Sequence, residues 1–372
     1  MRIGIDCRLW NESGVGRYIR NLVRELGVID KKNYYTLFVL SSDYDEVASH
    51  ISNKKNWTLV KADIRWHTIW EQITFPALIA SEELDLVHFP YFSVPIFYHK
   101  KFIVTIHDLI LHHYPTGKAS TLPPPLYWLK QFGYKFIIQE ASRKSNFIIT
   151  VSNATKAEII KHFDVDPDRV TVTYEGVDKK ISNSGQGTDV KNPYFLYVGN
   201  AYPHKNLERL LEAFLQFHHH YPTVKLQLVG RQDYFYKRIK KLIHTMSLEN
   251  SVSFMGYVSD EKLAELYKNC LAVVCPSLME GFGLPGLEAM EYGALVLASN
   301  IVVYKEIYKQ NCLYFDPFKV KDIEKRLVDA YHVSQKKREE YGRKESVYVK
   351  SFAWQQMAKK TLKIYQEVYA QG

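Results

Sequence analysis

The sequence predicts an α/β protein built from two doubly wound parallel sheets in series. Short, wholly apolar runs alternate with amphipathic helical stretches along most of the chain, the pattern of parallel strands covered by helices. This alternation breaks once, at 179–192, where Ser, Asn, Gly, Gln, Thr, Asp and Lys replace any apolar period, and then restarts. The 372 residues suffice for two separate cores. The expected organisation is a domain over 1–178, a linker over 179–192 and a second domain over 193–351, with a cleft between the domains. Ligands of such sheets bind beyond the carboxyl ends of the strands.

Taken in order, Arg2–Asp6 reads as a first strand and Arg17–Leu26 as a helix whose Ile19, Leu22, Val23 and Leu26 share one face. Strands are expected at Thr36–Leu40, Leu84–Phe89, Phe102–Ile106, Phe147–Val151 and Val170–Thr173, and a long aromatic-rich helix at Leu126–Ser142. After the linker come a strand at Tyr194–Val198 and a helix at Leu207–Phe217. Strands follow at Val224–Val229, Val252–Phe254, Leu271–Cys275 and Ala294–Ala298, with helices between them. An amphipathic helix over about 352–370 closes the chain, its apolar positions including Met357, Leu362, Ile364 and Tyr365.

Composition is that of an ordinary globular protein, 46% hydrophobic and 24% charged. No apolar run approaches the roughly 18–20 residues that span a bilayer, and Met1–Asp6 reads as a strand rather than a leader, so a cytoplasmic protein is expected. Cys7, Cys270, Cys275 and Cys312 form no CxxC and no metal-ligand spacing, and read as reduced, packed thiols. The net charge of +9 is uneven: residues 1–178 hold 21 Lys+Arg against 20 Asp+Glu, and residues from 179 on hold 28 against 20, so nearly all the excess lies after residue 178. Much of that surplus lies after residue 318 and reads there as a solvated helical face, while excess positive charge also suits anionic donors and anionic membrane surfaces. No nucleic-acid-binding motif accompanies it, so nucleic acid is not an expected partner.

The most informative string is Glu280-Gly281-Phe282-Gly283-Leu284-Pro285-Gly286-Leu287-Glu288. It follows the buried strand ending at Cys275 and opens a helix with Pro285 in its first turn, where a missing N–H costs little. Free amides at Gly281–Leu284 and the helix N-terminus favour an anion. Glu280 at the mouth of the loop and Glu288 one turn into the helix can each take hydroxyl groups. A ligand with phosphate in its middle and hydroxyls at both ends, a nucleotide sugar, fits that order. The plain alternative is a tight turn with both glutamates facing solvent.

With Ala289-Met290, Gly293 and Val296 following, this string resembles the donor-site signature of the retaining glycosyltransferases of family four, the group that includes mannosyltransferase-like and glycogen-synthase-like enzymes. The resemblance runs along nearly the whole chain. It implies the GT-B fold, two Rossmann-like domains facing across a cleft with the C-terminal helix crossing back to the first. It also implies transfer of a hexose-type sugar from a nucleotide-sugar donor to a glycan or lipid-linked acceptor, as in cell-surface polysaccharide or lipopolysaccharide assembly. Configuration would be retained, with no cofactor and no metal; no Asp-x-Asp string ends a strand.

Other positions carry the resemblance. Gly14 and Gly16, in Ser13-Gly14-Val15-Gly16-Arg17-Tyr18, match the Gly-rich loop after the first strand. They form no dinucleotide fingerprint, since a third glycine is missing. His107 ends a buried strand in Thr105-Ile106-His107-Asp108, where the family's His contacts the donor sugar; Asp108 either orients His107 or caps the next element. Lys205 follows Val198-Gly199-Asn200 at the spacing of the diphosphate-binding Lys, and a cation there stabilises charge on a departing diphosphate. The family usually has Arg where this chain has Asn200. Arg231, after Leu228-Val229-Gly230, is a candidate second cation. The expected catalytic set is His107, Lys205 and Glu280. The donor set adds Gly14, Gly16, Gly199, Asn200, Arg231, Gly281, Phe282, Gly283, Leu284 and Glu288. Val87-His88-Phe89, Ser152 with Thr155, and Glu175–Asp178 match weaker landmarks, Ser152 as a polar contact and Gly176–Asp178 as a hinge.

Residues 118–161 hold seven Lys/Arg against two Glu, interleaved with aromatics. They fit either an interfacial surface that meets a lipid-linked acceptor on a cytoplasmic membrane face, or an ordinary helix pair. Three other activities stay open at the level of sequence. A GT-B epimerase would form product without acceptor, a phosphorylase would demand free phosphate, and a non-catalytic partner would bind donor without turnover.

Overall fold

The computed structural model describes residues 1–51, 54–114, 124–178 and 192–371, and the side chains of all of these but 54 and 124–126. The predicted linker thus lies, apart from Asn192, outside the described residues. The chain divides into two compact units. One comprises Met1–His113, Leu122–Gly176 and Ala353–Gly372; the other comprises Tyr114–Thr121 and Val177–Phe352.

In the first unit, the strands are β1 (Arg2–Asp6), β2 (Tyr34–Val39), β3 (Trp57–Lys61), β4 (Leu86–Phe89), β5 (Phe102–Ile106), β6 (Phe147–Thr150) and β7 (Val170–Val172). They form one sheet in the order β3-β2-β1-β4-β5-β6-β7, and every pair is parallel. Its helices are α1 (Ser13–Ile29), α2 (Tyr44–His50), α3 (Ile69–Ala80), α4 (Ile110–His113), α5 (Pro124–Lys144) and α6 (Asn153–Phe163).

The second unit repeats the plan. Its strands β8 (Tyr194–Val198), β9 (Lys225–Val229), β10 (Val252–Gly256), β11 (Ala272–Cys275), β12 (Val296–Ser299) and β13 (Leu313–Phe315) run parallel in the order β10-β9-β8-β11-β12-β13. Helices α7 (Leu207–His220), α8 (Tyr234–Thr245), α9 (Asp260–Asn269), α10 (Leu284–Glu291), α11 (Val302–Tyr308), α12 (Val320–Tyr331) and α13 (Gln335–Val349) surround it. Leu210, Phe214, Leu226, Leu228, Leu297 and Leu327 sit at the centre of its core with no exposed surface. In each sheet the first strand lies in the middle and strand order reverses beside it, between β1 and β4 and between β8 and β11. Such a reversal leaves a crevice at the carboxyl ends.

The last helix, α14 (Trp354–Ala370), returns to the first unit and packs along α1. Its buried Tyr365 hydroxyl lies 2.6 Å from His88 Nδ1 on β4, while His88 Nε2 lies 2.8 Å from Thr105 Oγ1 on β5. Burial holds this imidazole neutral, with its pKa lowered to about 3. The weak landmark at His88 is therefore a joint between helix and sheet.

Strands β3 and β13 were not expected from the sequence. Both are edge strands with partly exposed residues, so neither shows the unbroken apolar run of a central strand. The four cysteines are free thiols, three of them buried. Among the described residues no helix is long and apolar enough to cross a membrane.

Candidate active site

Strands β8 and β11 are neighbours, and the loops leaving their carboxyl ends are fastened together. Asn206, buried and in the left-handed conformation (φ 60°), donates from Nδ2 to the Pro276 and Pro317 carbonyls at 3.1 and 2.8 Å. The Leu278 amide donates to the His204 carbonyl at 2.7 Å. Lys205 ends a short 3-10 turn, Pro203–Lys205, and this fastening carries it to Glu280, 75 positions along the chain.

Lys205 Nζ donates to Glu280 Oε1 at 2.6 Å, and Ser277 Oγ to the same oxygen at 2.6 Å. Tyr304 Oη adds a longer bond at 3.3 Å. The side chains of Lys205 and Glu280 are only 18% and 14% exposed, which excludes the solvent-facing alternative for Glu280. Burial alone would raise the Glu280 pKa. The charge of Lys205, with hydrogen bonds from Lys205 and Ser277, outweighs it and holds the carboxyl below its usual range. His204 is itself buried beside Lys205 and stays neutral, its pKa lowered to about 4. All three described bonds fall on Oε1.

Behind the pair, Tyr304 and Tyr308 of α11 stack at 4.7 Å, and Tyr308 Oη donates to the Gly283 carbonyl at 2.6 Å. Gly283 caps α10 at φ 101°, and a Cβ there would stand 2.5 Å from Tyr308 Oη. This turn demands glycine on both counts. Gly281 and Phe282 are buried; Phe282 points into the protein against Phe352, ring centres 5.9 Å apart, and packs rather than lining an open pocket. Leu284 is the first residue of α10, partly exposed. Glu288 is 5% exposed and accepts from Tyr267 Oη at 2.9 Å, so it too does not face solvent.

The remaining positions are less closely gathered. The Gly199 amide and carbonyl are held by the Val229 carbonyl (2.9 Å) and Tyr236 Oη (2.7 Å). Asn200 bonds locally, its carbonyl accepting from Tyr197 Oη at 2.5 Å. Arg231 is exposed at the carboxyl end of β9, the neighbour of β8.

In the first unit, His107 leaves β5 with both ring nitrogens facing protein. Nε2 is 2.9 Å from the Pro90 carbonyl, which can only accept, and Nδ1 is 3.4 Å from Glu175 Oε1. Tyr18 packs edge-on against the ring at 4.9 Å. Asp108 accepts from the Ile110 amide at 2.9 Å, at the start of α4. Of the two readings the sequence left for Asp108, this bond fits the capping of the next element; the carboxylate beside His107 is Glu175, which arrives from beyond β7. Ser152 is wholly buried and caps α6 by accepting from the Thr155 amide at 3.1 Å, a structural task and not a ligand contact. Gly14 is exposed in the first turn of α1 with open space around it. At Gly16 a Cβ would stand 2.3 Å from the Trp10 carbonyl, so the chain's own loop occupies its close approach. Ser277 had one sequence signal, its place three residues before Glu280; Tyr304, Tyr308, Asn206 and Tyr267 had none.

Two parallel sheets, each with its strand reversal at the centre, and a cation–carboxylate pair between loops at one reversal define a GT-B protein. The comparisons agree. Residues 178–346 match the family described as Glycosyl transferases group 1, and residues 13–180 match Glycosyltransferase Family 4. O-antigen chain mannosyltransferase RfbU of Salmonella typhimurium is 27% identical over 252 residues, 68% of this chain and 66% of that protein. O-antigen chain mannosyltransferase B of Escherichia coli is 25% identical over 95% of this chain and 96% of its own length. Anabaena Alr3699/HepE, solved in complex with UDP and glucose, superposes with a TM-score of 0.76 at 17% identity, covering 98% of this chain and 99% of that one. The chain belongs to the family-four type of GT-B glycosyltransferases.

Proposed function

We propose that this glycosyltransferase moves a hexose, mannose in first place, from a nucleotide-sugar donor to a glycan or lipid-linked acceptor in polysaccharide or lipopolysaccharide assembly. Configuration is retained and no metal takes part. The observation that carries the reading is the Lys205–Glu280 pair at the carboxyl ends of β8 and β11. The O-antigen names of the two relatives support the substrate class, and the complex of the structural neighbour supports a nucleoside diphosphate ligand.

In this reading, Lys205 and the amides at Gly283–Leu284 hold the diphosphate. As the bond from the anomeric carbon to the diphosphate breaks, positive charge grows on the sugar ring and negative charge on the leaving group, where a fixed cation counts most. Glu280, kept ionised by its donors, accepts from hydroxyls of the donor sugar. Glu288 takes the ribose hydroxyls, and His107 contacts the sugar, as the family resemblance implies. Arg231 supplies the second cation that Asn200 does not.

The acceptor side of the proposal rests on the first unit. Trp128, Leu129, Phe132 and Phe136 of α5 are 46–70% exposed, as are Ile69, Trp70 and Ile73 of α3 at 56–85%. The two helices flank one loop: Gln72 of α3 accepts from the Ile96 amide at 2.8 Å, and Lys144 of α5 reaches the Ile96 carbonyl at 3.5 Å. Exposed Lys130, Lys135 and Lys144 lie along α5. Apolar rings fringed with lysines suit the surface of an anionic bilayer, where a lipid-linked acceptor resides.

A thermal-shift panel of UDP-, GDP-, ADP- and dTDP-sugars, each against its free diphosphate, tests the donor reading. One sugar nucleotide should stabilise the protein more than its free diphosphate does, a hundredfold excess over Kd being worth about 2.7 kcal/mol relative to the free protein. No shift with any donor, with or without a lipid acceptor fraction, would overturn it.

A further inference from the structure

Four side chains away from the Lys205–Glu280 pair meet in the first unit. The short helix α4 ends in His112 and His113, and α6 carries Glu158 and His162 one turn apart on one face. Glu158 Oε2 lies 2.5 Å from His113 Nε2 and 3.3 Å from His162 Nε2. One ligand atom from each of these three lies within 4.8 Å of the others. The His112 ring centre is 4.6 Å from that of His162. One nitrogen of the group, His112 Nδ1, is buried without a hydrogen-bond partner among the described residues, and His162 Nε2 has only the long contact to Glu158. A buried polar atom left unpaired costs about 1–3 kcal/mol, which a metal ion taking the lone pair of the deprotonated nitrogen would offset.

We propose that His113, Glu158 and His162 form a site for a divalent transition metal, zinc in first place, with His112 within reach as a fourth ligand. Imidazole nitrogens select zinc and its neighbours over magnesium or calcium, which prefer all-oxygen shells. Bonds of about 2.0–2.2 Å in a tetrahedron place ligand atoms about 3.3–3.6 Å apart. Small rotations of three partly exposed side chains reach that spacing, and the 23–34% exposure of the three leaves an entry path.

The site braces rather than reacts. α4 starts three residues after His107, and Thr155 Oγ1 on α6 donates to the His107 carbonyl at 3.3 Å. A metal joining the end of α4 to α6 therefore closes a clamp around the segment that carries His107. It brings no metal to the Lys205–Glu280 pair and leaves the metal-free reading of sugar transfer as it stands.

The test uses the whole chain stripped of metal and free of any affinity tag. Zinc titration by calorimetry, with metal content measured after dialysis, should give one ion per chain and a rise in Tm. Glu158→Gln and His162→Ala should each abolish both while the metal-free Tm stays at the wild-type value. The run His218-His219-His220 at the end of α7 is the competing place for zinc, so His219→Ala with His220→Ala should leave binding intact. Failure of the wild type to bind, or undiminished binding in Glu158→Gln and His162→Ala, overturns the proposal, as does loss of binding only in the α7 variant.

Discussion

Lys205 and Glu280 each depend on the other, and substitutions at the two should separate chemistry from folding. Glu280→Gln keeps the shape of the side chain and most of its hydrogen bonds but removes the charge facing Lys205. It should lower turnover by about 10²–10³-fold, the size of effect seen when one group aimed at developing charge is lost, with little change in Tm. Lys205→Ala should do the same to turnover and also let the Glu280 pKa rise. Near-normal turnover in either, or collapse of the fold in both, would make the pair structural. The sign of the pH effect follows from the lowered pKa. The stability that Glu280 contributes is present above the ordinary carboxylate range and is lost as pH falls through its folded pKa, so Glu280→Gln should lose less stability than wild type below about pH 4. Gly283→Ala must adopt a left-handed φ with its methyl against Tyr308, and should cost about 1–3 kcal/mol in a urea melt.

Among elements, the loops after β8 and β11 and the helix α14 show how distant segments are fixed. α14 is fastened to β4 by Tyr365 and His88, both fully buried. Tyr365→Phe leaves His88 Nδ1 without a partner and should cost about 1–3 kcal/mol, with the α14 amides exchanging hydrogen faster than those of β8–β12. On α5, Trp128, Leu129, Phe132 and Phe136 face solvent beside Lys130 and Lys135, while Gln131, Tyr134 and Ile138 turn inward. Its aromatic composition was plain in the sequence. Which aromatics stand outward was not, because both faces carry large rings and the apolar period identifies no single buried stripe.

For the whole molecule, acid and lipid are the informative variables. His88 is buried neutral with its pKa lowered to about 3, and His67 and His204 have theirs lowered to about 4. In the unfolded chain these histidines protonate near pH 6.5, so folding stability is greatest above that pH and falls as pH drops toward the folded values. His88 alone should account for about 2 kcal/mol between pH 6.5 and 5, and that share of the loss should vanish in His88→Gln, read by chemical denaturation at each pH. With vesicles, the protein should co-sediment with anionic but not zwitterionic bilayers, less so at high salt. Serine at Trp70, Trp128 and Phe132 together should abolish this without lowering Tm, since all three are exposed. Binding that survives the triple change would refute the membrane face.

The sequence by itself determined the two parallel α/β units, their central strands and the string from Glu280 to Glu288. These are written in local signals: continuous apolar runs, helical period, and a glycine that only one turn geometry accepts. Tertiary structure decided which side chains meet. Lys205 reaches Glu280 because Asn206 fastens two loops, and Glu175 reaches His107 from beyond β7. Ser152 caps α6, and the Trp10 carbonyl lies against Gly16. Those outcomes depend on strand order, which puts β8 beside β11 across a gap of more than seventy residues, and no local pattern in the chain encodes that adjacency.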